Sequence, residues 1–422
     1  MMINKVLLVI LFWAFPGLIF SIQNYTGGNN ATTVNEIPAI TKGGQGGKII
    51  KVTNLNSSGD GSFREAVNSD GPRIIVFEVG GVIDLGKSRI IIDKPHVTIA
   101  GQTAPSPGIT FIRGGISVTT HDVIIQHIMV RPGDAGEPKK SGWEPDGIAT
   151  SGGNAYNILI DHCSVTWSVD ENISASGPRL EGPENTSHRV TISNCLIAEC
   201  LSNSTHAKGE HSKGSLIHDN CREITVQRNL FAHNKQRNPY FKTAATGIIA
   251  NNLIYNPGNA AIHTHWVKSE WEGHPEPPLA KIAIAGNVLI PGNDTKIKAF
   301  INGDHAELFL RENYIENNSS GIPLTAGTFK ETDSPPFQPA GLMTSGKVTD
   351  YILTNAGARP ADRDPIDQRI INSVKKKQGR IIDSQNEVGG YPDYAPVYRK
   401  LEIPKENIQE WLDKMGREVE GK

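Results

Sequence analysis

The sequence is poor in aromatic residues and in net charge. Aromatic residues make up 6% of the 422 residues, and the formal net charge is −2 at pH 7. Without a basic field, the composition gives no support to nucleic-acid binding. Gly and Pro are common instead, with 43 and 26 residues. That balance is typical of many short strands joined by turns rather than of a helical bundle.

Cysteine is also scarce. Four cysteines in a chain of this length are too few for a disulfide-stapled scaffold, and no CxxC pair or Cys/His zinc spacing is present. Cys163 and Cys195 occupy equivalent positions in a repeat described below. Two interpretations therefore stay open: some cysteines of an exported protein pair, or they are small buried core residues.

One long apolar run is present, at the N-terminus. It follows Lys5, spans about fifteen residues and gives way to polar sequence at Gln23, which is the pattern of a signal peptide. Pro and Gly interrupt the run, and it is too short for a confident membrane span. We expect residues 1–21 to be removed, leaving a secreted or periplasmic protein with no membrane span. An uncleaved N-terminal anchor is the alternative.

From about Ile90 a degenerate repeat organises the chain. Blocks such as NILIDHCS, RVTISNCL and EITVQRNL alternate aliphatic residues, then place two or three polar or small residues before another apolar stretch. One position through the blocks reads Gln102, Ile128, Cys163, Cys195, Asn229, Asn252, Asn287 and Asn313. Four successive asparagines can hydrogen-bond from repeat to repeat and satisfy buried turn groups. We predict an all-β fold, a right-handed parallel β-helix, over an irregular β-sandwich.

The segments flanking the repeat have patterns of their own. Residues 22–45 are a polar lead-in, and residues 46–355 are predicted to form the β-helix with an N-terminal cap that covers its open end. Residues 356–422 are predicted to be an extension with two helices packed on the β-helix. The first has Asp364 as N-cap and Pro365 at the first helical position.

Four charged residues each open a short alternating run between Trp143 and Lys242. They read acid, acid, base, base: Asp146, Asp170, Lys213 and Arg237. Asp146 and Asp170 are 24 residues apart, and so are Lys213 and Arg237. If each pair lies on neighbouring repeats, all four side chains would stack in one column. Two carboxylates suit a hard cation such as Ca²⁺, and two cations beside them suit an anionic polymer. The column predicts an active site, although each residue alone could serve a turn, the solvated surface or a structural ion pair.

The motifs WEPDG, IDHCSVTWSVDE, HSKGSLI and QRNP resemble those of the pectate lyases of the pectate/pectin lyase superfamily. GGKIIKVTNLNSSGDGSFREAV and GRIIDSQNEVGGYP resemble an exported bacterial and fungal branch of that family. The resemblance implies a right-handed parallel β-helix whose groove holds Ca²⁺ between protein and uronate carboxylates. It also implies a polysaccharide lyase that cleaves (1→4)-α-D-galacturonan by β-elimination, giving 4,5-unsaturated oligogalacturonides.

Carried over by position, the resemblance assigns the acids to the metal. Asp146, Asp170 and Glu144 match calcium-binding acids of the family. Where the family has a further carboxylate this chain has Ser174, which weakens the expected site. Glu171 is the candidate substitute, although in a regular strand it would point away from Asp170.

The same comparison assigns the basic residues to substrate and catalysis. Lys213 matches a substrate-binding lysine, and Lys242 stands where a second substrate-binding base lies. Arg237 matches the catalytic arginine, which takes the proton from C5. Its free pKa is above about 12, so clustered positive charge would have to favour its neutral form. His211, two residues before Lys213, is predicted to border the groove and to be a third substrate-binding residue.

Two other classes of function remain as alternatives. A hydrolase on the same fold would need three clustered aspartates and a Gly-His-Gly element, neither of which is present. A non-catalytic β-helix that binds polysaccharide is favoured by Ser174. We further expect a monomer that prefers polygalacturonate to highly methylated pectin, because methyl esters remove the charges that a cationic column would bind. Asp161 and His162 lie at a turn away from the column, so a structural role is predicted for them.

Overall fold

The computed structural model describes residues 41–422; the predicted signal peptide and most of the predicted lead-in lie outside the described residues. Three parallel sheets coil around one apolar interior. In residues 41–422 no helix has both the length and the apolar character needed to cross a membrane.

Each turn of the coil contributes strands to three sheets. The first sheet stacks Ile90–Ile92, Ile116–Val118, Ile148–Ser151, Glu171–Ser176, Lys213–Ile217, Tyr240–Lys242, Ile262–His265 and the start of Ile301–Arg311. The second stacks Lys48–Val52, Arg73–Phe77, Val97–Ala100, Val123–Gln126, Tyr156–Asp161, His188–Ser193, Ile224–Gln227, Thr246–Ala250, Ala280–Ala285 and the end of Ile301–Arg311. Thr325–Glu331 follows Ile301–Arg311 in both.

The third sheet completes the coil. It stacks Val79–Asp84, Ile109–Ile112, Ile128–Arg131, Ser164–Thr166, Leu196–Ala198, Leu230–Ala232, Leu253–Tyr255, Val288–Ile290 and Tyr314–Ile315, and Val397–Tyr398 adds an antiparallel edge. The α-helices are α1 (Phe63–Asn68), α2 (Ser345–Asn355), α3 (Pro365–Lys375) and α4 (Ile408–Glu420). Short 3₁₀ segments occur at Gly101–Thr103, Arg179–Glu181, Pro183–Asn185, Lys268–Trp271 and Gln385–Val388.

Aliphatic side chains at alternate strand positions fill the interior in stacks. In the second sheet the parallel register places one such stack in line, and all of its members are fully buried: Ile125, Ile160, Ile192, Val226, Ile249 and Ile284. Burying each of these side chains is worth about 1.5–3 kcal/mol, and their β-branching suits a pleated strand. The predicted parallel β-helix is therefore confirmed.

The predicted asparagine ladder is also confirmed. The amide of Asn229 donates to Asn252 at 3.0 Å, Asn252 donates to Asn287 at 2.9 Å, and Asn287 donates to Asn313 at 2.9 Å. The prediction was wrong at Gln102, which lies in a 3₁₀ segment. Ile109 occupies that place in the stack, because Gly101–Thr103 and the turn after it separate Gln102 from the strand.

Asn252 in the middle of this ladder should be costly to replace. Its amide also donates to the Val226 carbonyl at 2.9 Å, and its oxygen accepts from the Asn229 backbone N–H at 3.0 Å. Asn252→Ala leaves these buried groups unpaired, so we expect a loss of about 3–5 kcal/mol, measured as a fall in thermal and denaturant midpoints. Asn313→Ala at the partly exposed end of the ladder is the control and should cost less. Equal losses would contradict the ladder's role.

The segment predicted as an N-terminal cap contributes strands as well as cover. Lys48–Val52 pairs with Arg73–Phe77, so it belongs to the second sheet. Helix α1 turns Phe63 into the interior, where its ring packs 4.8 Å from that of Phe111, measured between centroids. Helix and strands together cover the N-terminal end of the apolar interior.

Both predicted C-terminal helices are present, and α2 is an additional one. Asp364 caps α3 by accepting from the Asp367 N–H. Asp364 and Asp367 also hold the buried Arg131, which ties α3 to the third sheet. His162 lies against its neighbour Asp161 at 2.8 Å and beside Glu420 of α4, outside the groove described below.

The cysteines are small buried core residues, which is the second of the two interpretations of the sequence. Within residues 41–422 all four are unpaired and buried. Cys163 and Cys195 stand opposite one another at the start of adjacent strands in the third sheet. They are therefore small core residues, and the β-helix has no disulfide in its described part.

Candidate active site

A groove of about 470 Å³ lies over the first sheet. It is crossed by the strands Ile148–Ser151, Glu171–Ser176, Lys213–Ile217 and Tyr240–Lys242, which lie side by side. Its charged lining residues are Asp146, Asp170, Glu171, Arg179, Lys208, His211, His218, Arg237, Lys242 and Glu270. The region singled out in the sequence thus forms one concave, charged surface.

The predicted column is displaced by one residue at two positions. Glu171, not Asp170, stands opposite Lys213 in the parallel register. Asp170 ends the turn before the strand, and Arg237 lies in a turn with φ 64°. At Arg237 the cause is an irregularity that sequence spacing does not reveal: Lys213 bridges to Gln236, whereas Leu216 pairs with Tyr240. At Asp170 the cause is the preceding register, in which Ile148 pairs with Ile173 and so places Glu171 in line with Asp146.

Three carboxylates converge at one end of the groove. Oxygens of Asp146, Asp170 and Glu171 lie within 4.8 Å of one another. The expectation that Glu171 points away from Asp170 was therefore wrong, because Asp170 is outside the regular strand. Burial, followed by the charge of Asp170, raises the pKa of Asp146 to about 7. A cation would relieve this repulsion, and three carboxylate donors fit a hard cation such as Ca²⁺.

Ser174, which stands where the family pattern has a carboxylate, hydrogen-bonds to one of these three acids. Its hydroxyl donates to Asp146 Oδ2 at 3.1 Å, and the Glu171 backbone N–H donates to Asp146 Oδ1 at 3.0 Å. The two bonds fix the orientation of the Asp146 carboxylate. A serine here thus holds an acid in place where the family pattern has another acid.

His211 lies beside the acids rather than apart from them. Its Nε2 is 3.2 Å from Asp170 Oδ1, and its ring stacks on His206 with centroids 3.4 Å apart. Burial alone would raise the pKa of Asp170, but the hydrogen bond and charge of His211 lower it overall. His211 therefore keeps Asp170 ionised and oriented.

Glu144 is the acid that the structure does not bring to this group. Its carboxylate accepts from the Ala207 backbone N–H at 2.7 Å and faces His206 at 3.5 Å. Only Pro145 separates it from Asp146, but the irregular chain before the strand turns the two side chains to different partners. The set of converging acids is therefore Asp146, Asp170 and Glu171.

Lys213 is a buried cation without an ion-pair partner in residues 41–422. It is 5% exposed and opens the strand beside Glu171. Burial lowers the pKa of its ammonium to about 8. Lys213 is not among the residues that line the groove, but its strand crosses the groove floor. A buried ammonium without an ion-pair partner is a strong binding point for an anionic group that reaches it.

Arg237 contacts Glu171 across the groove floor and lies over the Tyr240 ring, 5.7 Å from its centroid. Burial lowers the pKa of Arg237, while the charge of Asp170 opposes that shift. The sequence predicts that neighbouring cations lower this pKa. In the structure the neighbours are mainly acidic, and burial supplies the downward shift.

Lys242 is placed in the groove but is already paired. Its ammonium is 2.9 Å from Asp219 Oδ2 and also contacts Glu270. Arg179 contacts the same Glu270 carboxylate. These partners could not be predicted from the sequence, since each lies in a different loop without a repeating pattern. Lys242 is thus part of a charge-balanced cluster rather than a free cation.

Neither tryptophan near the acids lines the groove. Trp167 is fully buried and donates to Glu199 at 3.0 Å, and Trp143 donates to the Gly133 carbonyl at 2.9 Å. Both therefore cover the bases of loops. The groove lining is thus mainly charged and hydroxyl-bearing, with Tyr240 as an aromatic residue among them.

Fold and groove together define a class: a parallel β-helix protein with an acidic cluster beside buried basic residues on one sheet. No family model matches the sequence. Probable pectate lyase C of Aspergillus flavus is 32% identical over 368 residues, covering 83% of this chain and 78% of the relative. Probable pectate lyase C of Aspergillus terreus is 33% identical over 366 residues, with the same coverage of both chains. The chain belongs to the pectate lyase family and is a polysaccharide lyase.

Solved structures agree on the fold. Jun a 1, the major allergen from cedar pollen, is 18% identical with a TM-score of 0.54, covering 76% of this chain and 92% of that chain. The pectate lyase Bsp165PelA from Bacillus sp. N165 was solved in complex with trigalacturonate. It is 16% identical with a TM-score of 0.52, and the match covers 75% of this chain and 95% of that chain. At these identities the likeness concerns the right-handed parallel β-helix fold alone.

Proposed function

We propose that this protein is a calcium-dependent pectate lyase that cleaves (1→4)-α-D-galacturonan by β-elimination and releases 4,5-unsaturated oligogalacturonides. The observation that carries the proposal is the groove itself, in which Arg237 stands next to three converging carboxylates, with Lys213 paired in register opposite one of them, Glu171. Membership of the pectate lyase family and the trigalacturonate bound to a relative of the same fold support this substrate.

The calcium ion would be held by Asp146, Asp170 and Glu171. When bound, it would neutralise these carboxylates and that of a uronate, which makes the proton at C5 more acidic. Ser174 and His211 would keep two of the ligands oriented, as hydrogen-bonding partners of metal ligands commonly do. Glu144 is left out of the proposed ligand set because its carboxylate is bound elsewhere.

Lys213 is proposed to bind the uronate carboxylate at the reacting residue. Its ammonium is buried and has no carboxylate partner in residues 41–422, so it is available to an anionic ligand. As the C5 proton leaves, negative charge spreads into the C6 carboxylate. A fixed cation there stabilises that charge without reorganising.

Arg237 is proposed to take the C5 proton. Burial favours its neutral form, while its contact with Glu171 favours the charged one. Arg237 acts as a base only when the Glu171 charge is offset. The electron pair left on C5 then forms the C4–C5 double bond, and the bond from C4 to the glycosidic oxygen breaks. The departing oxygen keeps the electron pair of that bond and takes a proton from solvent, while Arg237 returns its extra proton to solvent.

The function is tested by product formation on substrates of graded methyl esterification. With calcium present, polygalacturonate should give a rise in the ultraviolet absorbance of a conjugated double bond, which hydrolysis does not produce. The rate should fall as esterification increases, because esters remove the carboxylates that Lys213 and the cation would bind. Reducing ends without that absorbance would point to hydrolysis and overturn the proposal. A rate that rises with esterification would overturn the proposal that unesterified polygalacturonate is the preferred substrate.

A further inference from the structure

Two basic side chains in the groove are paired with acids of the protein itself. Lys242 and Arg179 both contact one oxygen, Oε2 of Glu270, and Lys242 also lies 2.9 Å from Asp219. Arg179, Lys242 and Glu270 all line the groove. Two positive and two negative charges thus form a neutral cluster where a polyanionic substrate has to lie.

The two acids of this cluster differ in how firmly they are held. The Asp219 side chain is fully buried, and it also bonds His218 at 3.0 Å and the Trp271 indole at 3.0 Å. Hydrogen bonds from these partners and Lys242 hold the pKa of Asp219 well below its usual range, although burial opposes them. Asp219 is therefore a permanent counter-ion for Lys242.

Glu270 is the exchangeable member. Its side chain is 34% exposed, against 4% for that of Lys242. It stands on the short 3₁₀ segment Lys268–Trp271, between a strand of the first sheet and one of the second. The bond from Trp271 to Asp219 fixes this segment next to Lys242. If Glu270 swings away, Lys242 keeps Asp219 and is not left unpaired.

We infer that Glu270 is a specificity-determining residue whose carboxylate occupies a uronate-binding position. An unesterified uronate reaches Arg179 and Lys242 only by displacing Glu270, whereas an esterified one does not compete for these cations. This inference rests on the proposed function, since it concerns the same groove and substrate class. Replacing Glu270 should change substrate binding and not the chemical step. The reason is that the cluster lies beside the proposed base, Arg237, and does not include it.

Glu270→Gln tests this by removing the charge while keeping the size of the side chain. On polygalacturonate, KM should fall about two- to fivefold, the range expected for losing one partly exposed competing ion pair, with kcat changed less than about twofold. The fall in KM should shrink as methyl esterification of the substrate increases. Glu272→Gln is the matched control: Glu272 is exposed, forms no ion pair in residues 41–422, and should leave KM unchanged.

A second substitution and a binding measurement keep the outcome decisive. Glu270→Ala should lower KM in the same direction, and thermal melts establish that both variants are folded. An unchanged or higher KM in both variants, or an equal fall across the esterification series, overturns the inference. If the wild-type protein makes no unsaturated product, the proposed function fails separately. Calorimetric titration with oligogalacturonate then decides on Glu270, requiring tighter binding to Glu270→Gln than to wild type.

Discussion

Replacing Arg237 with lysine should lower kcat on polygalacturonate by at least about a hundredfold, while the protein stays folded and still binds the polymer. Lysine keeps a positive charge near Glu171, so the ion pair of the groove floor has a replacement. It does not keep the reach and planar shape of the guanidinium, which lies over the Tyr240 ring. A base displaced by about an ångström loses most of its effect on proton transfer.

The control for this variant is Arg228→Lys. Arg228 also lies in a turn with positive φ, 56° against 64° for Arg237, but its turn joins the second and third sheets, outside the groove. Its replacement should leave kcat and KM as they are. Measurements are initial rates of unsaturated product, polymer binding by affinity electrophoresis, and melting temperature. Near-wild-type turnover in Arg237→Lys would remove Arg237 from the proposed mechanism.

Much of the fold follows from local pattern. Alternating aliphatic residues and a recurring turn position predict a coiled parallel sheet, because each turn of the coil repeats the same local problem of burying one strand face. The ladder from Asn229 to Asn313 is the clearest example, since its bonds join equivalent positions of adjacent turns. The resemblance to pectate lyases, carried by motifs on these strands, is confirmed by the relatives of the chain.

Register within the site was harder to predict, because side chains alternate with a period of two. A one-residue difference therefore decides whether Asp170 or Glu171 stands opposite Lys213. The pairing of Ile148 with Ile173 and of Glu171 with Lys213 sets that difference, and nothing in the residue types around these strands signals it. The bridge from Lys213 to Gln236 causes the matching displacement at Arg237. The position of Glu144 could not be predicted either, because its hydrogen-bond partner Ala207 lies in a distant loop.

Charge balance was the least predictable feature of the groove. The sequence predicts Lys242 as a second substrate-binding base, yet in the structure it is paired with Asp219 and Glu270, which come from two other loops. Ion pairs between loops depend on three-dimensional closure, which a repeating pattern does not encode. The sequence therefore predicts which strands cross the groove. Only the structure shows which charged side chains on them, such as Lys242, are already paired with other residues of the protein.

Removing calcium should abolish turnover. Excess EGTA should stop product formation, and added calcium should restore it, since three carboxylates within 4.8 Å form the cation site that the proposed chemistry needs. Calcium should also raise the melting temperature, because a ligand that binds only the folded state stabilises it by about 2.7 kcal/mol at a hundred times its Kd. Full activity in excess EGTA would exclude calcium and point to a lyase in which a Lys or Arg alone neutralises the uronate.

Asp146→Asn and Glu144→Gln together test which acids form the site. Burial and Asp170 already raise the pKa of Asp146 to about 7, so a neutral amide should be tolerated by the fold. We expect Asp146→Asn to weaken calcium binding at least about tenfold, measured by calorimetry and by loss of the calcium-dependent rise in melting temperature. Glu144→Gln should leave calcium affinity unchanged, because Glu144 accepts from the Ala207 N–H and lies apart from the three acids. Equal losses in both variants would restore Glu144 as a ligand and contradict the arrangement of Asp146, Asp170 and Glu171 as the cation site.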